Sequence, residues 1–89
     1  MYLYLGQDTV VNVSDVVGIF DIDNTTQSRA TKQYLAGAQK KGWVVEVSPE
    51  IPKSFVVCEH AGKTAVYLSQ ISPATLKKRS AFIDNIANL

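Results

Sequence analysis

Polar and apolar positions alternate from the start of the chain, where MYLYLG sets Tyr2 and Tyr4 on one face and Leu3 and Leu5 on the other. A period of two predicts a β-strand, here ended by Gly6. After a turn at GQD, TVVNV reads as a second strand. The β-branched run DVVGIF reads as a third, or as an extension of the second past a bend at Ser14-Asp15. The period then changes. In TTQSRATKQYLAGAQKKG, Ala30, Tyr34 and Ala38 recur every four residues with Leu35 beside them, while Arg29, Lys32, Gln33 and Lys40 point elsewhere. This pattern predicts an amphipathic helix over 27–41. Lys40 and Lys41 complement its C-terminal dipole, and Gly42 suits the left-handed capping conformation.

WVVEVS returns to strand character, and the two prolines of the following PEIP exclude regular ladder pairing. SFVVCEH and TAVYLSQ are two strands joined by the turn AGK, a hairpin. Val56, Cys58 and His60 share one face of the first; Phe55, Val57 and Glu59 share the other. SPATLKKRSAFIDNIANL opens with Ser72 as N-cap and Pro73 at the first helical position, a start signal. In it Leu76, Ser80, Ile83 and Ala87 form one stripe, flanked by Phe82, Ile86 and Leu89. The order is β-β-β-α-β-β-β-α, which predicts a small α+β domain over 1–89 with an antiparallel-rich sheet and two helices.

Eighty-nine residues, 46% of them hydrophobic, suffice for a single modest core. No run approaches the ~20 apolar residues of a membrane span. MYLYLGQDTV has neither the positive residues nor the apolar length of a signal peptide, so a cytoplasmic protein is expected. The lone cysteine, Cys58, fits a reducing compartment. The net charge of +1 conceals an asymmetry. Residues 1–28 hold Asp8, Asp15, Asp21 and Asp23 and no base. All nine Lys and Arg follow, opposed by Glu46, Glu50, Glu59 and Asp84, so the later part carries nine against four, or +5. Such a split suits either an anionic partner or ordinary solvated helix faces.

FDIDNTT, residues 20–26, spells the nucleophile motif of haloacid-dehalogenase phosphatases, with Asp21 and Asp23 two apart. That chemistry needs a doubly wound parallel sheet, and each βαβ unit takes roughly 30 residues. Only 64 of the 89 residues follow Thr25, and they read as one helix and then antiparallel hairpin signals. The later carboxylates are single and scattered, without the acidic pair of a magnesium site. A structural role accounts for the same letters: Asn24, Thr25 or Thr26 can cap the helix that follows, worth about 1 kcal/mol. Asp21 and Asp23 then lie near the positive end of its dipole.

AGKT at 61–64 resembles the end of a phosphate-binding loop, but Val57 stands where its first glycine belongs and the turn joins two strands. CEH puts Cys58 and His60 on one strand face, and a tetrahedral zinc site lacks a second pair within one chain. A nucleophile, base and acid cannot be assembled around a single histidine. No enzyme activity, cofactor or metal is expected, which leaves binding. LKKRS is the densest basic cluster: Lys77, Lys78 and Arg79 make a broad positive arc about a turn from a helix N-terminus, where the dipole disfavours cations. Phosphate contacts would give a reason for that placement. Lys53, beside Pro52 in a rigid loop, is a second candidate. The tail AFIDNIANL is more apolar than a terminal helix covering one small sheet requires, so Phe82, Ile83, Ile86 and Leu89 are candidate contacts in a homo-oligomer.

MYLYLG, VVGIFD, PKSFVV and SPATLKKRSAF together resemble the RemB-like branch of the small bacterial extracellular-matrix regulatory family (RemA/RemB), through nearly the whole chain. The resemblance implies a cytoplasmic DNA-binding regulator of biofilm-matrix genes, a small α+β protein assembling into rings with a shared basic surface. It also implies that IFD at this place does not mark a phosphatase. In the RemA branch the DNA contacts are arginines, one ahead of the VVGIF-like strand and a pair in the loop before the SFVV-like strand. Asp15, Glu50 and Ile51 stand at those places here. Arginine to aspartate changes local charge by two units and repels phosphate. Contacts to double-stranded DNA are therefore expected at Lys53, Lys77, Lys78 and Arg79, repeated around an oligomer. The alternative is a protein–protein module, assembling with itself or a related regulator, that has lost DNA contact. The remote alternative is a phosphatase using Asp21 and Asp23.

Overall fold

The computed structural model describes the backbone of residues 1–22 and 28–87, and the side chains of 1–22 and 29–80. Strand β1 (Tyr2–Gly6) pairs antiparallel with β2 (Thr9–Asn12) in a two-stranded sheet. The expected alternation holds: Leu3 and Leu5 are buried while Tyr2 and Tyr4 face solvent. A 3-10 turn over Val13–Asp15 follows, capped by Asn12, whose Oδ1 accepts from the Ser14 N–H at 3.0 Å. This turn decides between the two readings of DVVGIF. β3 (Val16–Asp21) is a separate strand and belongs to a different sheet.

That second sheet has the order β3-β5-β6-β4, with β4 at Val44–Glu46, β5 at Ser54–His60 and β6 at Lys63–Ser69. β3 and β6 both run antiparallel to β5. The turn between β5 and β6 is Ala61-Gly62, with φ of +51° and +78°, a two-residue connection needing left-handed backbone at both places. β4 is shorter than WVVEVS suggested and lies parallel to β6, although Val47 N–H still donates to the Leu68 carbonyl beyond its end.

α1 (Ser28–Lys40) lies between β3 and β4 in the chain. Gly42, with φ of +75°, follows it, and the Trp43 N–H reaches back to the Ala38 carbonyl. Lys41 Nζ sits 4.5 Å from the Trp43 ring centre, a cation–π contact that holds this exit. The predicted apolar stripe is only half used. Ala38 is buried and Leu35 half-buried, but Tyr34 and Ala30 are exposed, because the sheet beneath the first half of α1 ends at its edge strand β3. The capping roles expected of Asn24, Thr25 and Thr26, and the position of Asp23, lie outside the described residues.

α2 (Pro73–Ala87) begins as its sequence signals: Ser72 Oγ accepts from the Thr75 N–H at 3.3 Å, with Pro73 first in the helix. Leu76 is fully buried and Ser80 half-buried. β5 is buried on both faces. Val56 and Cys58 join Leu3, Leu5, Val11, Val47 and Leu76 in one cluster, beneath the β1-β2 hairpin and α2. Phe55 and Val57 join Val66 and Ala38 in the other, beneath α1.

Two fully buried serines tie these layers together. Ser69 Oγ donates to the Leu5 carbonyl at 2.6 Å and accepts from the Ile71 N–H at 3.1 Å. Ser54 Oγ donates to the Ile71 carbonyl at 2.8 Å. Ser69→Ala removes the partner of the buried Leu5 carbonyl and of the half-buried Ile71 N–H. The expected cost is about 1–3 kcal/mol, read as a shift in urea midpoint with unchanged slope.

Candidate nucleic-acid interface

The four candidate cations come from two segments, Lys53 just before β5 and Lys77, Lys78 and Arg79 in α2. Lys53 is exposed; its N–H donates to the Ser69 carbonyl at 2.8 Å and its carbonyl accepts from the Ile22 N–H at 3.1 Å. The next residue, Ser54, bonds to Ile71, two positions before α2 begins. The start of β5 and the start of α2 are thus pinned to the same corner. Buried Leu76 then turns the following residues outward, and Lys77, Lys78 and Arg79 are all exposed. Ile22 and the 48–52 loop border this corner, which also holds two carboxylates, Glu50 on the loop and Asp21, paired with Ser54 across the β3–β5 ladder.

All four side chains are exposed cations, which suits phosphate contact more than recognition of base edges. The loop carrying Glu50 and Ile51 is held by the Glu50 N–H donating to Ser48 Oγ at 3.1 Å. Ile51 is 85% exposed. Neither residue can attract phosphate.

Asp15 lies at the opposite end of β5. Its Oδ1 is 3.2 Å from Nδ1 of His60, whose side chain is 79% exposed. The pair is 45 residues apart in the chain and was not expected from the sequence. The register makes the contact: β3 runs antiparallel to β5 with Val16 opposite Cys58, which carries Asp15 towards His60. Asp15 thus has a side-chain partner within the chain, at the far end of β5 from Lys53.

Asp15, Cys58, His60 and Lys63 line a cleft of about 410 Å³ together with Tyr2 and Tyr67. Its chemistry is limited. Burial, and then the charge of Asp15, push the Cys58 thiol up from 9.0 to about 11. It is therefore neither a thiolate nucleophile nor a ready metal ligand at neutral pH. Among the described residues no group of three or more His, Cys, Asp or Glu could hold a metal ion. Because the folded thiol keeps its proton to a higher pH than the unfolded one, its contribution to stability is complete below about pH 9 and is lost as pH rises through 9–11. Unfolding free energy should fall across that window, and Cys58→Ala should remove this part of the slope. Alkylation at pH 8 should be slow in the native protein and fast in urea.

Asp21 closes β3 and is half-buried. The sheet around it has one parallel pair and two antiparallel ones, not the doubly wound parallel arrangement of the dehalogenase-type phosphatases. The expected oligomer contacts Phe82, Ile83 and Ile86 lie on the described backbone of α2 but outside the described side chains, and Leu89 lies outside the described residues altogether. The apolar surface that can be described is elsewhere. Val17, Phe20 and Tyr34 are exposed along β3 and α1, a surface that the sequence reading did not single out. Among the described residues no helix is long and apolar enough to cross a membrane.

Residues 2–80 match a family described as RemA-like, extracellular matrix regulatory protein A-like. Extracellular matrix regulatory protein B of Bacillus subtilis (strain 168) is 38% identical over 86 residues, covering 97% of this chain and 98% of that protein.

Proposed function

This chain belongs to the RemA-like extracellular matrix regulatory family, and on that premise we propose that it is an oligomeric, non-enzymatic transcriptional regulator in the bacterial cytoplasm. It contacts duplex DNA mainly through phosphates. The observation that supports this reading is the exposure of Lys53, Lys77, Lys78 and Arg79, on segments whose starts are linked by the bond from Ser54 to Ile71. Four exposed cations from two rigid elements give each subunit a small positive surface. Repeated around an assembly, weak contacts of this size sum through effective concentration.

The test is a titration of the sized oligomer with duplex DNA at two salt concentrations. Binding should weaken with salt, the log–log slope approaching about −3.6 for four phosphates neutralised per engaged subunit. A flat titration at low salt would remove DNA from the account.

A second reading is favoured by Glu50 and Ile51, which make the tip of the 48–52 loop acidic and apolar. In it the protein is an assembly module, binding itself or a related regulator, and the DNA titration stays flat while light scattering shows a defined oligomer.

A further inference from the structure

We propose that an apolar groove beside the edge strand β3 receives the Ile51 loop of a second copy of this chain, so that subunits join head to tail. This rests on the oligomeric part of the reading above and names the surfaces that make it.

The groove has a volume of about 360 Å³ and is lined by Val17, Phe20, Tyr34, Phe55 and Val57, with no charged side chain. Three rings stack along it. Phe20 lies 5.0 Å from Phe55 at 21°, and Tyr34 lies 6.0 Å from Phe55 at 24°. Val17 is the extra residue of a β-bulge between Val16 and Gly18 and is 65% exposed; Phe20 is 43% exposed. The ring of Phe20 lies over Gly18, where an added Cβ would come within 2.5 Å of it. The glycine thus allows the aromatic wall to lie flat against the strand. β3 has no strand on its outer side among the described residues. Exposed apolar surface of this kind, at an open sheet edge, calls for a cover.

The same chain carries a complementary projection. Ile51 stands on a loop pinned at both ends to β6, by Val47 N–H to the Leu68 carbonyl and Lys53 N–H to the Ser69 carbonyl. Pro49 and Pro52 flank it, so little conformational freedom remains to be lost on docking. The charges agree as well. The groove side holds the exposed Arg29 and Lys32 of α1 against Asp21 at the end of β3, whereas the loop side holds the exposed Glu46 and Glu50 against Lys53, so the two sides carry net charges of opposite sign. Opposite signs of this kind orient an encounter.

Loop and groove do not meet within this subunit: Ile51 is 85% exposed and is not among the residues lining the groove. A contact between two different patches is heterologous, and its repetition closes a ring or extends a filament.

The experiment compares the mass of the full chain by light scattering with that of Ile51→Asp, Val17→Asp and an equimolar mixture of the two. Both positions are exposed, and thermal melts confirm that each variant is folded. Each variant alone should lose the assembly, with association weakened at least tenfold. The mixture should form 1:1 dimers, because the intact loop of one variant meets the intact groove of the other, and growth then stops. An Ile51→Asp protein of wild-type mass that still binds duplex DNA would overturn the docking proposal and leave the proposed function standing. Dimers in the mixture, with no DNA binding by the wild type at low salt, would uphold the docking and sink the DNA reading. A mixture that stays monomeric would overturn the head-to-tail arrangement.

Discussion

Replacing Leu76 with alanine is expected to lower the unfolding free energy by about 2–5 kcal/mol, a large part of the roughly 5–15 kcal/mol a domain possesses. Leu76 is fully buried and touches the cluster built from Leu3 and Leu5 of β1, Val11 of β2, Val56 and Cys58 of β5, and Val47. It is the residue by which the described part of α2 enters the core. Removing its branched end leaves a cavity between layers that have few other contacts, so the site has little chance to close. Urea unfolding should show the loss as a lower midpoint. A change below 1 kcal/mol would mean that α2 is held by something other than this cluster. The same variant, kept below its unfolding range, should bind DNA as the wild type does, because the lysines beside it are exposed and unaltered.

Changing Lys77, Lys78 and Arg79 together to alanine is expected to act in the opposite way, on binding and not on folding. If each neutralises one phosphate, the log–log salt slope flattens by about 2.7 per engaged subunit. Between 50 and 200 mM salt the wild type should then lose about 40-fold more affinity than the variant. All three side chains are exposed, so stability should move by no more than about 0.5 kcal/mol. Removing cations from the first half of a helix also relieves an unfavourable dipole interaction, which makes a small gain the expected direction. An unchanged slope would clear the cluster of any part in DNA contact and leave Lys53 without its neighbours. The Leu76 and cluster variants form a pair: adjacent residues on one helix, one expected to affect stability alone and the other salt-dependent binding alone.

The chain's own letters determined the type and order of the elements, leaving open only whether DVVGIF was a strand of its own. Leu3 and Leu5 alternate with Tyr2 and Tyr4 because a strand has a period of two, and the structure buries the two leucines. Ser72 and Pro73 start α2, and Ala61-Gly62 turns β5 into β6, because capping and left-handed backbone are settled within three or four residues. The exposure of Lys77, Lys78 and Arg79 also follows from local pattern, since Leu76 beside them is the apolar position of that turn.

What only the tertiary structure decided is which segments lie side by side. The hairpin β1-β2 stands apart from β3, β4 runs parallel to β6, and Asp15 meets His60 across 45 residues, none of which leaves a mark on the local sequence. Strand partners are chosen by burial summed over distant segments, and β5 satisfies two such demands at once, one on each face. The stripe of α1 shows the limit most clearly. Ala30, Tyr34 and Ala38 have the same spacing and the same apolar character, yet only Ala38 is buried. Helical periodicity says which residues share a face; only the extent of the sheet beneath says how much of that face is covered.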